Sequence, residues 1–247
     1  MHFIVVDLEA TIQRYKNEPV YLTELGAIKM NSYGELVGKF HSYIKPSNKR
    51  YLADVKINNR VTTKKEDLKN AQDIKIVMGK FKKWIHDEDY ILVFWSYSDL
   101  YLLMKQFINR QFDISWLKNY CDLQMSFTKY IGEIQPISLN KAMNLVDHGF
   151  IGKNHNALND AYNTAKILRF LFDKSAKIKF DHNPFERLIC QLYKECSKCK
   201  EIKYYMDFTM SKGKIKNFCC KCSAEKKQMK RERREQRELE LSANDYE

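Results

Sequence analysis

The chain has 247 residues, 44% of them hydrophobic and 13% aromatic, and a formal net charge of +12 at neutral pH. That composition excludes a disordered chain, and no apolar run approaches the length of a membrane-spanning helix, so no membrane partner is expected. The length suffices for one large domain or two smaller ones with a true core. The positive balance points to a polyanionic partner such as nucleic acid.

The chain opens "MHFIVVDLEAT". Phe3 to Val6, with Leu8, predict a buried strand, yet the run ends in Asp7 and Glu9. Residues i and i+2 of a strand share a face, so the two carboxylates stand side by side and require a positive neighbour. No basic leader or cleavage site precedes them, which predicts no signal peptide and a cytoplasmic location. Residues 21–30, "YLTELGAIKM", predict a second strand paired back on the first through a polar loop containing Pro19. Residues 38–46 predict a third, ended by Pro46. The stretch 64–87 carries Leu68, Ala71, Ile74, Val77, Met78, Phe81, Trp84 and Ile85 at helical spacing. "YILVFWSY" (90–97) predicts another buried strand and "DLYLLMKQFINRQ" a helix after it. "SLNKAMNLVDHG" predicts a helix capped by Ser138 and stopped by Gly149. "NDAYNTAKILRFLF" predicts one more, with Ala161, Ala165, Ile167, Leu168, Leu171 and Phe172 as its apolar stripe. Residues 176–195, with Pro184, read as a connector or docking helix. Strands and helices in this order imply a mixed α/β sheet with helices on both faces.

Two further acids punctuate this pattern. Asp99 follows the strand at 90–97, and Asp160 opens the helix in "GKNHNALNDAYNTA", with His155 five residues before it. A D-x-E pair alone is expected about once by chance in a chain of this size. A lone acid at a helix start is most often a cap, and a lone histidine a surface residue. Four acids at the ends of apolar elements, with a histidine beside the last, form a set. His148 has no acid at that spacing. Glu24, inside "TELGAI", would face the same region, either there or in a structural hydrogen bond.

"DLEAT", Asp99 and "HNALNDA" resemble the three motifs of the DEDDh 3′-to-5′ exonucleases. The wording is most similar to the KapD and histone-mRNA 3′ exonuclease branch, over roughly residues 1–173. The resemblance implies an RNase H-like fold with a mixed five-stranded sheet in an exonuclease domain at 1–175. Where the branch has Trp-Gly before its third acid, this chain has Trp95 and Ser96. Where it has a Thr-Gly-Ile-Thr turn, this chain has "NNRVTT". Asn156 stands where the tyrosine subclass would place a tyrosine. By resemblance, Asp7, Glu9, Asp99 and Asp160 hold two Mg²⁺ or Mn²⁺ ions, with Asp7 bridging both. Such ions would neutralise four carboxylates that cannot otherwise all stay ionised. His155 takes the proton of the attacking water, and Ala10, Thr11 and Trp95 contact substrate. The implied activity is release of 5′-mononucleotides from single-stranded nucleic acid, RNA in preference to DNA. A DNA exonuclease, or a nucleic-acid- or ribosome-binding protein on a silent nuclease scaffold, are the alternatives. Nothing in the sequence speaks to oligomeric state.

The remainder, 196–247, reads as a second module. Cys196 and Cys199 form one C-x-x-C pair, and Cys219 and Cys222 another. This spacing predicts one structural Zn²⁺ held by four thiolates, with Cys220 as an alternative to Cys219. Phe208, "SKGK" and Phe218 predict a hairpin between the pairs, and the second pair opens a basic helix. The pattern resembles treble-clef zinc modules found beside phage-type HNH nucleases. No HNH motif is present, which implies a binding accessory. Residues 196–234 hold 13 basic and 4 acidic side chains, a local balance of +9 suited to phosphate contact. A solvated helix with i,i+4 pairs is the plainer reading of its second half. Cys121 and Cys190 read as buried or incidental thiols.

Overall fold

A computed structural model describes residues 1–11, 20–46, 63–86, 89–181, 192–211 and 214–244. The loop around Pro19, nearly all of "NNRVTT", Pro184, Cys190 and Gly213 lie outside the described residues. The chain divides into two compact units: Met1–Gln106 with Ser115–Pro184, and Phe107–Ile114 with Phe185–Glu247.

In the first unit, β1 (His2–Ala10) pairs antiparallel with β2 (Leu22–Asn31), which pairs antiparallel with β3 (Leu36–Tyr43). On its other side β1 pairs parallel with β4 (Tyr90–Phe94), which pairs parallel with β5 (Tyr120–Asp122). The result is one mixed, five-stranded, RNase H-like sheet in the order β3-β2-β1-β4-β5. Its helices are α1 (Lys65–Lys69), α2 (Ile74–Ile85), α3 (Tyr97–Ile108), α4 (Leu123–Tyr130), α5 (Leu139–Leu145) and α6 (Ala157–Asp173). Phe3 and Val5 of β1 share one face and pack with Ala161, Ala165, Leu168 and Leu171 of α6. Ile4, Val6 and Leu8 point the other way and are equally buried. Phe40 of β3 lies on that second face and meets Phe81 of α2, ring centroids 5.2 Å apart.

Two sequence expectations change. The helical period over 64–87 divides into α1 and α2, because Gln72 forms a parallel bridge with Ile44 between them. Asp73 then caps α2, accepting from the backbone N–H of Lys75 at 2.8 Å. The strand expected over 90–97 stops at Phe94, and α3 already starts at Tyr97. The hydroxyl of Ser96 accepts from the backbone N–H of Ser98 at that turn, and Asp99 lies in the first turn of α3, after the strand as expected. β5 and α4 follow no signal in the sequence, since three strand residues are too few to show an alternation.

The second unit contains two hairpins: β6 (Tyr193–Glu195) with β7 (Ile202–Tyr204), and β8 (Phe208–Ser211) with β9 (Lys214–Cys219). Helix α7 (Cys220–Asn244) follows directly. Its small core is Cys196, Phe208, Cys219 and Cys222, with Ile215 and Phe218 against it. Gln111 belongs to this unit and donates from Nε2 to the carbonyl of Tyr205 at 3.0 Å. Among the described residues, no helix is long and apolar enough to cross a membrane.

Candidate active site

The face of β1 that packs on α6 with Phe3 and Val5 continues through Asp7 and Glu9. The acids lie where α6 begins, and that contact depends on Gly26. Gly26 pairs with Asp7 across β1 and β2. A Cβ on Gly26 would fall 2.2 Å from the carbonyl carbon of Ala157 and from the nitrogen of Leu158. The absent side chain thus lets the first turn of α6 lie directly on the sheet. The positive end of the helix dipole faces the carboxylates, and the first turn brings Asp160.

His155 precedes the helix in the left-handed region, at φ +60°. Its backbone N–H donates to Asp160 Oδ2 at 2.9 Å, and its Nδ1 lies 3.9 Å from Glu9 Oε1. The loop before it is braced from α6. The fully buried Asn163 accepts from the backbone N–H of Ile151 at 3.0 Å and donates to its carbonyl at 2.9 Å. Asn159 donates to the carbonyl of Lys153 at 3.2 Å.

Asp7, Glu9, Trp95, Asp99, His155 and Asp160 all line one cavity of about 320 Å³. Sequence reasoning missed Ser138, Asn140, Phe150 and Asn154 on its wall; a helix cap, two asparagines and one aromatic carry no pattern that would single them out as a site. Ala10, Thr11 and His148 are not part of that wall. The Thr11 hydroxyl instead accepts from the backbone N–H of Tyr21 at 2.9 Å, closing the β1–β2 pair.

Among the described residues, no lysine or arginine lines the cavity, and the carboxylates respond. Burial, followed by the charges of Asp99, Asp160, Glu9 and Glu24, raises the Asp7 pKa well above the usual range. Burial, then Asp160, Glu24 and Asp99, pushes Glu9 up to about 8. Burial and Asp160 raise Asp99 to about 7, against the opposing effect of a hydrogen bond from its own backbone. Asp160 is raised by burial to about 6, moderated by the His155 N–H. Oxygen donors crowded together without a compensating cation fit hard divalent metal ions. Glu9, His155 and Asp160 each present a ligand atom, all within 4.8 Å of one another.

Glu24 fulfils both possibilities left open by the sequence. It is fully buried opposite Glu9 in the strand register. It accepts hydrogen bonds from Thr63 Oγ1 at 2.9 Å and Asn156 Nδ2 at 2.9 Å, with His41 Nε2 at 2.7 Å. Its charge also raises Asp7, Glu9 and Asp160.

In the second unit, the sulfurs of Cys196, Cys199, Cys219 and Cys222 lie within 4.8 Å of one another. Cys220 is exposed and outside that group. Tetrahedral Zn²⁺ with Zn–S bonds of about 2.3 Å needs sulfurs about 3.8 Å apart, and four thiols gathered within 4.8 Å of one another are compatible with such a site. Partial desolvation raises Cys196, but backbone N–H groups, Cys219 foremost at 3.3 Å, outweigh it and bring the thiol down to about 6. Desolvation and the neighbouring sulfurs push Cys222 up to about 12.

Residues 4–168 match the exonuclease family RNase_T. The chain belongs to this exonuclease family. It is similar to two proteins named ERI1 exoribonuclease 2. Identity is 24% over 194 residues with that of Xenopus laevis and 26% over 197 residues with that of Mus musculus. Each match covers 67% of this chain but only 28% of the relative's length. Among solved structures, the exonuclease fold is similar to the nuclease domain of 3′hExo, a DEDDh family member bound to rAMP. The TM-score is 0.65 at 14% identity, covering 73% of this chain and 96% of that one. It is also similar to cell-death related nuclease 4, with a TM-score of 0.63 at 18% identity over 72% and 66% of the two chains.

Proposed function

We propose that this chain is a 3′-to-5′ exonuclease that shortens single-stranded nucleic acid, RNA in preference to DNA, and releases 5′-mononucleotides. The observation that carries the reading is the meeting of Asp7, Glu9, Asp99, His155 and Asp160 on one cavity. The cavity's volume of about 320 Å³ falls within the range of small-ligand sites. Two divalent cations, Mg²⁺ or Mn²⁺, held by Asp7, Glu9, Asp99 and Asp160, would neutralise those carboxylates and supply Lewis acidity at the scissile phosphate.

The chain's own residues do the rest. His155, on an exposed loop at the cavity, accepts the proton of the water that attacks phosphorus. The bond from phosphorus to the 3′-oxygen of the penultimate nucleotide breaks, and the freed oxygen is protonated. Trp95 offers the terminal base an apolar wall. Preference for RNA is supported by the exoribonuclease names of the relatives. It is supported too by a structural neighbour described as a 3′-exonuclease recognising a histone mRNA stem-loop, with a TM-score of 0.59. In the second unit Cys196, Cys199, Cys219 and Cys222 hold one Zn²⁺, and α7 presents its positive charge to phosphates.

Matched RNA and DNA oligonucleotides, labelled at either end and incubated with Mg²⁺ or Mn²⁺, test the reading. Stepwise shortening of 5′-labelled RNA with release of 5′-mononucleotides is expected, faster than with DNA. Internal cuts, or no hydrolysis of either polymer, would overturn it.

A further inference from the structure

We infer that Glu24 and Asn156 form a positioning link whose task is to hold His155 in place. The inference rests on His155 acting as the general base. Asn156 immediately follows His155 and uses both ends of its side-chain amide. Its Oδ1 accepts from the backbone N–H of Asn159 at 3.1 Å, capping α6. Its Nδ2 donates to Glu24 Oε1 at 2.9 Å. Capping needs only an oxygen, which serine or aspartate supplies as well. The amide nitrogen has a separate job, and Glu24 is its acceptor.

Glu24 is an unusual anchor. It is fully buried on a central strand next to a site already rich in negative charge. A carboxylate there is costly unless several partners hold it. Its partners come from three places: His41 on β3, Thr63 before α1, and Asn156 at the head of α6. Glu24 is therefore a post fixed by the sheet, and Asn156 ties the helix start to that post. Immediately before the tie stands His155, at φ +60°. A residue with a side chain in that region is strained and keeps its conformation only when its surroundings over-determine it. On one side the His155 N–H bonds to Asp160 at 2.9 Å; on the other stands the Asn156–Glu24 bond. That bond ties the residue next to the imidazole to the sheet, a hold distinct from the helix cap and from the Asp160 carboxylate.

A double-mutant cycle with His155→Ala tests the link, since Asn156→Ser keeps the cap and removes only the donor to Glu24. Asn156→Ser should lower kcat by about 10- to 100-fold, the scale on which misplacing a reacting group is felt, with KM unchanged and a melting temperature lowered but still well above the assay temperature. In the His155→Ala background the same substitution should cost nothing further, because the group it positions is gone. Glu24→Gln keeps an acceptor for Asn156 and should retain most of kcat, whereas Glu24→Ala should show the kcat loss of Asn156→Ser together with a lower melting temperature, since His41 and Thr63 lose their acceptor too. If Asn156→Ser does not fold, Asn156→Asp runs the same cycle: it keeps the cap and sets a carboxylate against Glu24. A loss that multiplies with that of His155→Ala, or one confined to KM, would overturn the link. If His155→Ala alone turned over at the wild-type rate, the general-base assignment would fall instead, and the two failures are distinct.

Discussion

Four carboxylates, Glu9, Glu24, Asp99 and Asp160, act on Asp7. Asp7→Asn should therefore abolish hydrolysis by several orders of magnitude while raising the melting temperature of metal-free protein, as repulsion is relieved. Wild-type hydrolysis by that variant would refute the assignment. The raised carboxylates also set a pH dependence. Glu9 at about 8, Asp99 at about 7 and Asp160 at about 6 all exceed their unfolded values of roughly 4. Folding then takes up protons, and the stability these groups contribute is full below pH about 4 and lost as pH rises through about 8. In a chelator, thermal melting should fall between pH 5 and 8, and Glu9→Gln should flatten that fall. Mg²⁺ or Mn²⁺ should raise the melting point more at pH 8 than at pH 5. A chelated protein whose stability rises over this interval equally in both variants would contradict the charge assignment. At this scale the sequence was informative, because acids on a strand as apolar as β1 violate the expectation of burial and so stand out. Asn156 did not stand out: its role exists only once Glu24, 132 positions away in sequence, lies beside it.

Helix α6 is the element on which the site turns, and the contact beneath it is Gly26. Gly26→Ala would force a Cβ into backbone atoms at 2.2 Å, where neither strand nor helix can yield as a flexible side chain would. It should cost about 1–3 kcal/mol or more of stability. It should also lower kcat by at least about 100-fold, since Asp160 and His155 move together away from Asp7 and Glu9. Chemical denaturation and steady-state kinetics on one preparation check both, and a Gly26→Ala variant with native stability and rate would refute the packing argument. The stripe along α6 was legible because its period is unbroken from Ala161 to Phe172, about three turns. The Gly26 contact was not, since a glycine in a strand carries no pattern saying what approaches it. The same holds for the gap between α1 and α2: the helical period runs through Ala71, and only the bridge from Gln72 to Ile44 breaks the helix.

For the whole chain, the second unit can be tested apart from the first. Every residue of α7 from 224 to 237 is exposed, and the four sulfurs gather at the opposite end of that helix. Cys199→Ser should reduce zinc from one ion per chain, seen by elemental analysis, and leave hydrolysis at saturating substrate intact. Its KM should rise, and its binding to a single-stranded oligonucleotide should depend less steeply on salt, by about one unit of log–log slope for each phosphate no longer neutralised. Zinc-free wild-type protein, or an unchanged salt slope, would defeat the corresponding half. The candidate active site has a different property at this scale. Its acids and histidine are drawn from β1, α3, the turn before α6 and α6 itself, from residue 7 to residue 160. A chain still being synthesised therefore carries Asp7, Glu9 and Asp99 long before His155 and Asp160 exist. Until α6 has left the ribosome, the growing protein holds three of the four acids without the helix that completes the pocket around them.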